Sequence, residues 1–168
     1  MFKLAVAAAA TATLVLASGS ALAETATASF QVKMTIVKSC SVTAGTASDI
    51  NLGTAVLPTA TNQTGSNTIS VTCSKTTPYN VGLAPSTANS GTVNGTGFMS
   101  SLTTSDKVPY SLYSDSTYSA AWGSTIGSNT VSGTGDGSAA SLTVYAKNTN
   151  ANFAPGSYAD TVTVTVTY

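Results

Sequence analysis

The sequence predicts an all-β sandwich, on three observations. Short runs with an apolar residue at every second position recur along the chain: Ile69, Val71 and Cys73; Tyr79, Val81 and Leu83; Val108, Tyr110 and Leu112; Leu142, Val144 and Ala146. Such alternation turns one face of a strand to a core and the other to water. Between the runs lie "PTATNQTGSN", "APSTANSGTVNGTG", "GSNTVSGTGDGSA" and "NTNANFAPGS", rich in the Gly, Pro, Asn and Ser that turns require. β-Branched residues dominate the runs, and no stretch beyond the first 23 residues carries a helical apolar period.

Residues 1–23 read as a secretory signal peptide and are set apart from the fold. Lys3 supplies a positive n-region, residues 4–16 an apolar run, and Ala21-Leu22-Ala23 a small-x-small cleavage site that leaves Glu24 as the first mature residue. Thr11, Thr13, Ser18 and Ser20 interrupt the run, which is too short for a membrane anchor, and no other segment is apolar enough to span a bilayer. The remaining 145 residues suit one domain with a real core.

Charge is sparse. The mature chain holds five lysines against six acidic residues, a net charge of −1, and no arginine. Without a basic patch to neutralise a row of phosphates, nucleic acid is not expected as a partner. Catalysis has as little support: there is no histidine, and Asp49, Asp106, Asp115, Asp136 and Asp160 fall in separate turns or strand edges with no pairing motif. No metal site, catalytic residue or cofactor is expected, and the protein reads as a non-enzyme. Two cysteines, Cys40 and Cys73, lie beyond the cleavage site; an even count in an exported chain argues for one disulfide between them. A metal pair is the rival reading, but no histidine is present to complete it.

The two ends of the mature chain pose a question. In "SFQVKMTIVKSC", residues 29–40, Phe30, Val32, Met34 and Ile36 alternate with polar neighbours, a clean strand pattern that on alternation alone belongs to the chain's own domain. In "DTVTVTVTY", residues 160–168, Val162, Val164, Val166 and Tyr168 share one face and four threonines the other. A strand there, with nothing after it to pair its second edge, is an aggregation template unless something covers it. Ahead of it, Pro155-Gly156 fits the centre of a type II turn. Asn94-Gly95 fits either a hairpin or a plain loop.

The segments "DINLGT", "ISVTCS", "TPYNVGL", "VPYSLYSD", "WG" and "PGSYADTVTVTVTY" occur in that order over essentially the whole mature chain. Together they resemble the spore coat protein U domain, a family that includes the pilin subunits of archaic chaperone–usher fimbriae. The C-terminal block is the most specific part of the likeness. The resemblance implies an incomplete immunoglobulin-like β-sandwich that lacks its last strand and is completed by donor-strand exchange. A periplasmic chaperone would fill the gap first, and the N-terminal extension of another subunit would replace it at an outer-membrane usher.

By position, the resemblance makes residues 24–36 the donor extension, with Phe30, Val32, Met34 and Ile36 as its inserted face, and residues 37–168 the pilin domain. Val162, Val164, Val166 and Tyr168 would form one wall of the acceptor groove and of the chaperone-binding strand. Residues 37–42, pinned by the Cys40–Cys73 bridge, would form the other. The implied role is a structural pilus subunit, exported through the periplasm to the cell surface, homopolymerising there and serving attachment and biofilm formation. Two alternatives are a tip-proximal adhesin that binds a surface or glycan through its loops, and a spore or cyst coat protein. One departure stands out: family members often carry arginine ahead of the "Y-x-LY" motif, where this chain has Phe98-Met99.

Overall fold

The computed structural model describes residues 23–168, so that of the expected signal peptide only Ala23 falls among the described residues. The chain divides into two units at Thr35 and Ile36. In the first, residues 23–35 adopt no helix or strand. The second, Ile36–Tyr168, is all-β.

Its strands are β1 (Cys40–Thr43), β2 (Gln63–Cys73), β3 (Pro78–Pro85), β4 (Thr96–Ser100), β5 (Lys107–Tyr113), β6 (Val131–Thr134), β7 (Ala139–Asn148) and β8 (Val162–Thr167). They form two antiparallel sheets, one ordered β1-β2-β7-β5-β4 and the other β6-β3-β8. The core lies between the sheets and is built from the alternating positions of the sequence. Ile69, Val71 and Cys73 of β2 meet Tyr79, Val81 and Leu83 of β3, with Tyr110, Leu112, Val144, Ala146 and Trp122 completing the cluster.

Two strands arise where local composition predicts turns, and a third is longer than its apolar run. β2 starts at Gln63, six residues before Ile69, because it pairs with β7 residue by residue from Gln63–Asn148 to Thr72–Ala139. A ten-residue ladder outweighs the turn preference of Asn, Gly and Ser. β4 and β6 carry few apolar residues and take their conformation from pairing with β5 and β3.

Trp122 is 1 % exposed, and its indole N–H donates to the Val81 carbonyl at 2.8 Å, so burial leaves no polar atom unpaired. Gly95 packs against this residue with φ of +79°, and a Cβ there would stand 2.1 Å from the Trp122 carbonyl oxygen. Only glycine fits. The Thr92 N–H donates to the Thr96 carbonyl at 2.8 Å, so Asn94-Gly95 closes a tight turn into β4. Pro155-Gly156 is a correction to expectation. Type II geometry needs positive φ at Gly156, and that residue is not among the glycines that have it. The segment is held instead by Tyr158, whose hydroxyl donates to the Ala154 carbonyl at 2.7 Å and lies 3.0 Å from the Thr104 hydroxyl.

Two constraints place the edge strands. The Cys40–Cys73 disulfide joins directly paired residues of β1 and β2. On the other side, the start of β8 is held by Asp160. Its carboxylate accepts the Tyr110 hydroxyl at 2.6 Å, the Asn89 side-chain amide at 2.7 Å and the Ser86 N–H at 3.3 Å. Ala159 and Ser100 exchange backbone hydrogen bonds of 2.9 and 3.0 Å next to it. Burial, then the hydrogen bond to Asp160 and its negative charge, raise the Tyr110 phenol well above the ordinary tyrosine range.

Reducing the disulfide, which closes a loop of sequence separation 33, should lower unfolding stability by about 3–4 kcal/mol on the chain-entropy model; denaturant titration with and without reductant measures it. Tyr110→Phe removes a hydrogen bond to a charged acceptor and should cost about 1.5–3 kcal/mol. The folded phenol keeps its proton where the unfolded chain's tyrosine, titrating near pH ~10, loses its own. Stability therefore falls as pH rises past that value, and Tyr110→Phe should show a shallower alkaline loss than wild type in the same titration.

Candidate functional site

Each sheet ends on one side in a strand with a single partner. Among the described residues, β8 pairs only with β3, and β1 pairs only with β2. The two edges face one another across the side of the sandwich, and between them the core is open.

One wall of the opening is β8. Leu83 of β3 donates its N–H to the Gly123 carbonyl at 2.9 Å, on the side of β3 away from β8. Leu83 and Val164 therefore face each other as a non-hydrogen-bonded pair, and the N–H and C=O of Val164 point to the unpaired edge. By the same alternation, so do those of Val162 and Val166. The valine side chains meanwhile pack inward against the core. β8 thus offers an apolar row and a free main-chain ladder along one line.

The opposite wall comes from the chain beyond β1. After Thr43 the backbone leaves the β ladder yet stays on the edge of β2, held there by side chains. Ser48 donates its hydroxyl to the Thr68 carbonyl at 2.7 Å, and the Asn67 amide donates to the carbonyls of Ala47 at 3.0 Å and Asp49 at 2.8 Å. At Gly65, a Cβ would stand 2.6 Å from the Asn51 carbonyl oxygen, so the segment lies hard against β2. Ile50 and Leu52 are thereby turned to the core.

A cavity of about 440 Å³ lies between these walls, with Ile50 and Leu52 on one side, Val162 and Val164 on the other, and Leu83 and Leu112 among its floor residues. A second, of about 980 Å³, continues it past Leu52 and Val56 towards residues 151–157. The two share Asp49, Ile50, Leu52, Met99 and Tyr158, and so form one groove along the open side of the sandwich.

Of the residues expected at this groove, Val162 and Val164 line it. Val166 packs on the core without lining either cavity, and Tyr168 lies past the end of β8 and is exposed. The opposite wall differs from expectation. Val37 and Val42 are exposed, and residues 44–52 supply the lining instead. The disulfide registers β1 with the far end of β2, which leaves the apolar pair Ile50 and Leu52 to cover the length of the groove. Phe30, Val32, Met34 and Ile36 lie in no strand and are 88, 88, 82 and 77 % exposed. Sequence reasoning passed over Ile50, Leu52 and Met99, although the alternation in "DINLGT" carries the first two.

The remaining polar candidates hold loops. The Asp115 carboxylate accepts the Ser119 and Ala120 N–H groups and the Thr117 and Ser119 hydroxyls, which keep it well below the usual carboxylate range. Tyr113 and Tyr145 lie on the outer face of the larger sheet, edge-on to Tyr118 at 5.6 and 6.2 Å between ring centres.

The family model of the Spore Coat Protein U domain matches residues 26–165. No match is found among curated proteins. Among solved structures, the chain is similar to one in the crystal structure of the CsuC–CsuE chaperone–tip adhesion subunit pre-assembly complex, from archaic chaperone–usher Csu pili of Acinetobacter baumannii. The TM-score is 0.50 at 23 % identity, covering 80 % of this chain and 40 % of that one, so this protein spans less than half of that chain's length. The likeness is one of fold. The chain belongs to the Spore Coat Protein U domain family.

Proposed function

We propose that this protein is a structural, non-enzymatic subunit of an archaic chaperone–usher pilus, which polymerises by taking the N-terminal extension of another copy into its groove. One observation carries the reading: an apolar groove with a free strand edge coexists with an exposed, alternating apolar segment at residues 30–36. Each supplies what the other lacks. Strand addition joins main chain to main chain and sets every second side chain in a pocket.

The energetics favour the exchange. Burying Phe30, Val32, Met34 and Ile36 contributes about 1.5–3 kcal/mol each, an upper value of about 6–12 kcal/mol before ordering costs. Main-chain pairing with β8 adds about 1 kcal/mol net per hydrogen bond. A periplasmic chaperone that presents its own strand would protect the groove until, at an outer-membrane usher, a better-fitting extension displaces it without ATP. The protein would then pass through the periplasm into a surface fibre serving attachment and biofilm formation. In this reading residues 24–36 are the donor and residues 37–168 the receiving domain.

A tip-proximal role is the second reading. It draws on the likeness to a chain from a complex that contains a tip adhesion subunit. A tip subunit needs no donor extension of its own, so the extension's necessity separates the two.

Deleting residues 24–36 should leave a protein that still binds its chaperone but forms no polymer, as read by co-purification and electron microscopy. Val32→Asp or Met34→Asp should do the same, because a charge would enter an apolar groove unpaired. Polymer from the deleted chain would show the donor assignment to be wrong.

A further inference from the structure

We infer that the register of the inserted segment is set by an ion pair between Lys33 of the donor copy and Asp49 on the groove of the receiving copy. This rests on the donor reading above and adds what apolar alternation cannot provide. Ala26, Ala28, Phe30, Val32, Met34 and Ile36 all lie on one face, so a slip of two residues again presents apolar side chains to the groove. Some other contact has to distinguish one register from the next.

Charge supplies it. Lys33 is the single charged residue between positions 25 and 37. The groove lining contains no lysine and two carboxylates, Asp49 and Asp160. Asp160 is occupied by Tyr110, Asn89 and Ser86. The Asp49 side chain is exposed and accepts no hydrogen bond among the described residues, while its backbone is fixed by bonds to Asn67 and Thr46. Asp49 also belongs to both cavities, at their junction.

The strand geometry brings the two together. With Val32 and Met34 turned into the groove, Lys33 between them points to the mouth, and Asp49, exposed and lining both cavities, is the carboxylate open to it. A two-residue slip moves the Lys33 backbone by about 6.6 Å along the groove, so its flexible side chain must stretch back to keep the pair and loses its best geometry. A partly exposed pair is weak in absolute terms. Selecting among registers of near-equal apolar burial needs no more than that.

The test uses the full mature chain, released from its chaperone complex, with polymer growth followed by size-exclusion chromatography. Lys33→Asp and Asp49→Lys, each alone, should slow growth about three- to tenfold at low salt, and the double variant should recover to within about twofold of wild type. Both single defects should shrink in about 0.5 M NaCl, where the pair is screened. Recovery of each variant as a chaperone complex confirms folding. If both single variants grow at the wild-type rate, or the double variant is slower than either, the ion pair is refuted. The deletion of residues 24–36 separates the two ideas: loss of polymer with it, alongside unaffected charge variants, refutes the pair alone. Polymer from the deleted chain removes the donor reading and the pair together.

Discussion

The unpaired edge of β8 is the constraint on which the rest depends. Main-chain N–H and C=O groups cost free energy when they lack partners out of water, and an apolar face costs free energy when it lacks cover. On β8 the two deficits coincide. Val162, Val164 and Val166 turn their side chains to the core and their backbone polar groups to the free side. One added strand would answer both, under the function proposed above, by pairing with the edge and covering the open core.

Holding such an opening apart is itself a structural task, since an apolar core tends to collapse on its own gap. The two flanks are braced by different chemistry. On the β8 flank, Asp160 gathers three donors from β5 and the 86–89 turn, and Tyr158 pins the preceding turn to Ala154 and Thr104. On the opposite flank the disulfide fixes β1, and Ser48 and Asn67 fasten the chain beyond it to the edge of β2. These side-chain bonds satisfy part of β2's edge while leaving Ile50 and Leu52 free to face inward. Both walls of the groove are thus held by named contacts of the chain itself.

How much of this was legible in the sequence varies with the physics of each element. β3, β5, β7 and the C-terminal half of β2 read directly, because a half-buried strand writes its two faces as alternation. β8 reads for the same reason, whereas residues 30–36, which alternate as clearly, lie in no strand. β4 and β6 did not read, since an edge strand with one or two apolar residues is defined by its neighbour. Neither did the second wall. Ile50 and Leu52 lie in a segment with no strand conformation, oriented by hydrogen bonds from Ser48 and Asn67 across distances in sequence that no local pattern encodes. Asp160 looked like an isolated carboxylate for the same reason: its partners Tyr110, Asn89 and Ser86 are some fifty to seventy-five residues away.

The most direct measurement of the central claim is amide hydrogen exchange at Val162, Val164 and Val166, comparing the lone subunit with the assembled fibre. Their N–H groups should exchange rapidly in the subunit and become protected in the fibre, together with amides of residues 30–36. Strong protection in the lone subunit, or rapid exchange that persists in the fibre, would contradict a sandwich completed by a strand from its neighbour.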